Sequence, residues 1–217
     1  MSEEAAETGF GGKLPSHDDF IEGGGALSAR HTLMEWAGAG LVRGREGKAN
    51  RFTDMFLTMP VWRFAMEPTL CTERTVVGIL CPSTDRTGRA FPILIVAEIA
   101  PRDALATLVA LGPWFDAMEG IALGALDGSV DASAFGASLA SPPVPPGSWT
   151  GTRPFHDGIR AVKLDDAGLP AENIASAGYW VTRGGADLSP FGLSHSAAPD
   201  EDLFLALVAA EQPPERS

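Results

Sequence analysis

A chain of 217 residues with 45% hydrophobic and 20% charged side chains is long enough to bury a core without disulfides and too apolar to stay unfolded. Its formal charge of −12 repels polyphosphate and anionic lipid, which argues against nucleic-acid binding and membrane docking. Acidity of this kind keeps a protein soluble, and a basic partner protein is the simplest ligand it suggests.

The N-terminal run Met1-Ser2-Glu3-Glu4-Ala5-Ala6-Glu7 has neither a basic nor an apolar section, so no secretory signal is expected and a cytoplasmic location is. Residues 1–8 are expected to be a disordered tail. A short strand follows from Phe10 to Leu14, stopped by Pro15, and then a polar turn, Ser16-His17-Asp18-Asp19. Gly23-Gly24-Gly25 reads as a break before a helix in which Ser28 is the expected cap and Leu33, Trp36, Ala37 and Leu41 share one face. Gly44 to Lys48 ends it.

Phe52 to Leu57 is a second helical piece. In Val61 to Met66 the side chains Trp62, Phe64 and Met66 alternate with Val61, Arg63 and Ala65, the period of a half-buried strand. Thr75 to Cys81 and Phe91 to Ile99 are β-branched and apolar, hence buried strands. The intervening Pro82 to Arg89 is too polar to be anything but a turn. Pro101 and Asp103 open a helix with Leu105, Leu108 and Leu111, and Pro113 opens another with Trp114, Phe115, Met118 and Leu123. Its proline and the acids Asp116 and Glu119 break the stretch from Ala104 to Leu126 as a membrane span. Ser141 to Pro154 is a Pro-rich loop. Gly158–Lys163 and Ser176–Thr182 are further strands, Asp202–Ala210 a closing helix and residues 211–217 a tail. Residues 9–210 are therefore expected to form a single domain, an α/β sandwich around a mainly antiparallel sheet.

Cys71 and Cys81 flank a turn and a strand start. A disulfide is geometrically possible, but free thiols are the expected state. The histidines His17, His31, His156 and His195 have no metal-ligand spacing, so no metal or other cofactor is expected. Gly9-Phe10-Gly11-Gly12-Lys13 lacks the ending of a phosphate-binding loop. Ser16-His17-Asp18-Asp19 holds a nucleophile, a base and two carboxylates, yet adjacent side chains diverge and triads assemble from distant segments. A cap or turn is the simpler role. Ser83, Asp85, Arg86 and Arg89 make the densest polar cluster. Either Asp85 stabilises a hairpin turn with Gly88 at positive φ, or two guanidinium forks form a recognition loop.

Three stretches, in order, resemble one family. Gly9-Phe10-Gly11-Gly12-Lys13-Leu14-Pro15-Ser16 with Asp19-Phe20 is similar to the opening of the TagF (ImpM) proteins associated with bacterial type VI secretion. Pro60-Val61-Trp62-Arg63-Phe64 is similar to their second motif, and Gly78 through Pro92 to their third. Ala90 stands where the family usually has an aromatic residue and Ile93 where it has Leu. Tyr179-Trp180 echoes a paired-aromatic strand. The resemblance implies a longin- or profilin-like α/β/α sandwich around that mainly antiparallel sheet, and a post-translational regulator, usually a repressor, of type VI assembly, acting by protein–protein binding to a forkhead-associated (FHA) scaffold protein. Some relatives carry a fused phosphatase, whose activity is not expected here. The expected partner-binding residues are Ser16, Asp18, Asp19, Ser83, Asp85, Arg86 and Arg89. The rival reading is a small hydrolase or ligand-binding enzyme using His17, Asp18 and Asp85.

Overall fold

A computed structural model describes residues 6–46, 49–149, 158–165, 168–170, 176–184 and 188–209. Its strands are β1 (Glu7–Gly12), β2 (Ile21–Gly24), β3 (Trp62–Met66), β4 (Thr75–Cys81), β5 (Ile93–Ile99), β6 (Arg160–Val162), β7 (Gly178–Thr182) and β8 (Phe191–His195). They form one sheet in the order β2-β1-β5-β4-β3-β7-β8-β6, and every pairing is antiparallel. Segments on both sides of the Pro-rich loop share this sheet, because β7 pairs with β3.

Helices cover both faces. Trp62, Phe64 and Met66 of β3, Val76 and Leu80 of β4 and Trp180 of β7 point into one core, completed by α1 (Leu27–Arg45), α2 (Ala49–Thr58) and α6 (Glu201–Ala209). The alternate residues Ala65, Val77, Ile79, Cys81 and Tyr179 point into the other, under α3 (Ala104–Ala110), α4 (Gly112–Gly124) and α5 (Ala132–Ser138). The expected α/β/α sandwich is present, and β3 is buried on both faces rather than half-buried. Indole N–H groups fix the closing helix: Trp36 donates to the Asp200 carbonyl at 2.6 Å and Trp62 to the Leu207 carbonyl at 3.2 Å.

Several elements differ from the sequence reading for definable reasons. Glu7 and Thr8 lie in β1 rather than in a tail, because β1 pairs from Glu7↔Glu98 to Gly12↔Ile93 and the ladder takes polar residues as readily as apolar ones. The strand ends at Gly12, short of the expected Leu14. β2 has only Ile21 buried, too short for a period to register, and the later β8 and α5 likewise had no expected counterpart. Ser28 does not cap α1. Ala26 stands at the cap position with φ 52° and no side-chain bond, while Glu98 of β5 accepts the Ala29 N–H at 3.0 Å. Asp103 does cap α3, accepting from the Ala106 N–H. Between 141 and 149 there is no helix or strand. The rest of that loop to Pro154, His156 and the 211–217 tail fall outside the described residues.

Cys71 and Cys81 are free. Cys71 packs against one core and Cys81 sits in the other, across the sheet. Burial is the main cause that pushes both thiols up to about 12, so neither is a nucleophile at neutral pH.

Phe64 stacks on Trp180 at 4.4 Å between ring centroids, and Gly78 of the neighbouring β4 leaves the space it fills. A Cβ at position 78 would lie 2.5 Å from Phe64 Cζ and 2.3 Å from the Ile95 carbonyl oxygen. Gly78→Ala is therefore expected to destabilise the protein by about 1–3 kcal/mol through overpacking, read from chemical denaturation. A variant as stable as the parent would contradict this packing.

Candidate functional site

The three motif stretches meet through the sheet. β1 and β5 are neighbours, with Gly12 opposite Ile93, so the loop leaving β1 (residues 13–20) runs beside the β4–β5 loop (residues 82–92). One backbone bond joins them directly, from the Arg86 N–H to the His17 carbonyl at 2.8 Å.

Asp85 is the hub of both loops. The residue is 1% exposed, and its two carboxylate oxygens accept five hydrogen bonds. Oδ1 receives the Thr87 N–H at 3.0 Å, the Thr87 hydroxyl at 2.7 Å and the Arg89 N–H at 2.9 Å. Oδ2 receives Lys13 Nζ at 2.8 Å and Arg89 Nε at 2.6 Å. The turn closes with Gly88 N–H on the Asp85 carbonyl and Asp85 N–H on the Arg89 carbonyl. Gly88 has φ 83°, where a Cβ is strained. Burial works against the Asp85 charge, but the bonds from Lys13, Thr87 and Arg89 outweigh it and hold the carboxyl far below the usual carboxylate range.

The outer layer differs in character. Arg86 Nη1 donates to Asp18 Oδ2 at 3.0 Å and Nη2 to the Ser16 carbonyl, while Arg89 Nη2 donates to the Asp18 carbonyl. The side chains of Arg86, Arg89 and Asp18 remain 59%, 60% and 65% exposed. Asp19 is also exposed and accepts the Phe20 N–H. Of the seven expected partner-binding residues, the structure brings all into the two adjoining loops. Ser83, 4% exposed, and Asp85 lie beneath the surface; Ser83 accepts the Phe91 N–H on its carbonyl at 3.1 Å, and Asp85 joins the two loops through Lys13. Ser16 is half-buried and donates its hydroxyl to the Val130 carbonyl at 2.6 Å. Its 2.9 Å contact with His17 Nδ1 is consequently donated by the ring, the reverse of a nucleophile–base pair. Among the described residues no hydrogen bond joins His17 to Asp18 or Asp85, and no group of three His, Cys, Asp or Glu side chains could hold a metal. No described helix is long and apolar enough to cross a membrane.

Of the three buried cations among the described residues, Lys13, Arg30 and Arg63, none was read as a site residue. Lys13 is the counter-ion of Asp85, and nothing local in its glycine-rich context signals that. Arg63 turns to the α4 side of the sheet, where Nε donates to Glu119 at 2.7 Å, Nη2 to the same carboxylate and Nη1 to Asp116 at 2.8 Å. Arg183 also reaches Asp116, at 2.5 Å. Partial burial disfavours the Asp116 charge, but Arg63 and Arg183 outweigh it and lower its pKa. The adjoining cleft, lined by Leu108, Phe115, Leu169 and Val181, holds about 90 Å³, below the ~300 Å³ at which small-molecule sites begin.

Fold and site together define an α/β/α domain that presents a rigidly braced double loop at one end of its sheet. Residues 9–141 match the TagF N-terminal domain, a type VI secretion system-associated family, and the chain belongs to that family. The whole fold is similar to the crystal structure of PA0076 from Pseudomonas aeruginosa PAO1, with a TM-score of 0.69, 27% identity and 97% of each chain covered. Among functionally curated proteins none matches.

Because the Asp85 pKa is depressed on folding, its stabilising effect is complete above the unfolded value of ~3.9 and is lost as pH falls below it. Asp85→Asn removes that effect and leaves the Lys13 ammonium, 8% exposed, without its counter-charge. A fall in Tm on the order of 10 °C at pH 7 is expected. The gap between parent and variant should stay constant from pH 7 to about 5 and narrow below about 4. A variant melting with the parent at pH 7 would show that the carboxylate braces nothing.

Proposed function

We propose that this protein is a cytoplasmic post-translational regulator, acting as a repressor, of type VI secretion assembly, and that it works by binding an FHA-domain scaffold protein rather than by catalysis. Family membership over residues 9–141 supports the secretion system. The observation that carries the binding mode is the division of labour within the double loop. Its polar groups are satisfied internally around Asp85, yet Asp18, Arg86 and Arg89 project three-fifths exposed. Guanidinium forks held in place by carbonyl and carboxylate acceptors lose little entropy on meeting a partner.

The same geometry separates the two arginines as probes. Arg89 Nε bonds the buried Asp85, so its loss would loosen the turn itself. The Arg86 side chain bonds only groups of the outer layer, Asp18 and the Ser16 carbonyl. Overproducing the chain is expected to lower export of a type VI substrate, and Arg86→Glu to abolish both that effect and co-purification with the FHA scaffold. Its Tm should stay within about 3 °C of the parent. Full co-purification of a folded Arg86→Glu protein would exclude this face, and unchanged secretion on overproduction would exclude the regulatory role.

A further inference from the structure

Phe20 belongs to none of the polar groups considered so far, yet it sits among them and is 49% exposed. It is also immobilised. Its ring meets Phe91 edge-on at 4.7 Å and 81°, and Lys13 Nζ lies 5.0 Å from its centroid. An exposed aromatic ring already fixed by its neighbours has little left to lose on binding, which is the character of an interface anchor.

The charges around it run against the rest of the chain. Lys13 and Arg89 converge on one oxygen of Asp85, Arg86 lies beside them, and Arg45 at the end of α1 donates Nη2 to the Ala90 carbonyl at 3.3 Å. Four of the 16 Lys and Arg residues thus gather at this end against Asp18, Asp19 and the buried Asp85. The molecule as a whole carries −12.

We infer that the surface formed by Phe20, Arg86 and Arg89, with Arg45 at its margin, docks an acidic segment of a partner protein that places an apolar side chain against the Phe20 ring. This deepens the binding role proposed above and rests on it. Charge complementarity selects the occupant. A short acidic peptide can reach Arg86, Arg89 and Arg45 against only two exposed acids of this surface, Asp18 and Asp19, whereas a nucleic acid or an anionic membrane is large enough to meet the surrounding negative field. The guanidinium forks suit carboxylates, which they can grip bidentately. The aromatic ring supplies the apolar contact that discriminates among acidic sequences.

The test is a fluorescence-anisotropy titration of the full chain with a fluorescein-labelled peptide, Gly-Asp-Glu-Leu-Asp-Glu-Gly, and its uncharged counterpart, Gly-Asn-Gln-Leu-Asn-Gln-Gly. The acidic peptide is expected to bind at least about fivefold more tightly than the amide peptide. It should weaken at least as much between about 50 and 300 mM NaCl. Phe20→Ala and Arg86→Gln should each weaken it by a similar factor, with melting curves confirming that both variants fold. Absence of binding, equal binding of the two peptides, or binding indifferent to both substitutions would overturn the inference. The titration does not involve the FHA scaffold, so the two readings fail separately. Lost co-purification with peptide binding intact sinks only the scaffold assignment, and lost peptide binding with co-purification intact sinks only this one.

Discussion

Asp85 carries a carboxylate into a place that water does not reach, and the two loops at this end of the sheet are arranged around neutralising it. A buried anion is tolerable only when its lone pairs are filled by well-placed donors. Five donors reach it: one from the loop after β1 and four from its own turn. Lys13 therefore does more than balance charge, because it ties two segments 72 positions apart in sequence. Gly88 is required at the turn because the chain reverses there with φ 83°. The Asp-x-x-Gly-Arg spacing is a description of one closed hydrogen-bond ring.

The sheet order makes that ring possible. Placing β1 next to β5 sets the exit of one strand beside the entry of the other, so two loops distant in sequence arrive at the same corner. Alternation along β3 then sends Trp62, Phe64 and Met66 to the core under α1, α2 and α6, while β4 and β5 send aliphatic residues to both cores. Arg63 is the exception in β3, and its three-point attachment to Asp116 and Glu119 locks α4 to the sheet. Of the four cations in the three motif stretches, the buried Lys13 and Arg63 serve the architecture. Arg86 and Arg89 are the exposed ones.

Much of this was legible in the chain. Strands such as Thr75–Cys81 carry their own signal, since an unbroken β-branched apolar run has few alternatives. The turn role of Asp85 and Gly88 could be read from spacing alone, and so could the concentration of charge at Arg86 and Arg89. What could not be read was set by tertiary partners. β2 exists because β1 offers it a ladder, the α1 terminus is satisfied by Glu98 from another strand, and Lys13 finds Asp85 only once β1 and β5 pair. Ser83 and Asp85 looked like surface groups because polar residues in a turn usually are. Burial moved them from contact to support. Phe20 was read only as part of the Asp19-Phe20 resemblance, because a single aromatic residue in a polar turn has no periodicity to mark its exposure.

The ionisation of Asp85 itself is the most direct test of this arrangement. Selective ¹³C labelling of aspartate would allow the Asp85 carboxyl resonance to be followed while the protein is acidified. If the five-donor ring holds the charge, the resonance stays that of a carboxylate through the ordinary aspartate range near ~3.9 and changes only when the protein unfolds. A carboxyl that titrates at or above that value in the folded protein would mean that the ring does not compensate for burial. The two loops would then lack the brace on which the proposed docking surface depends.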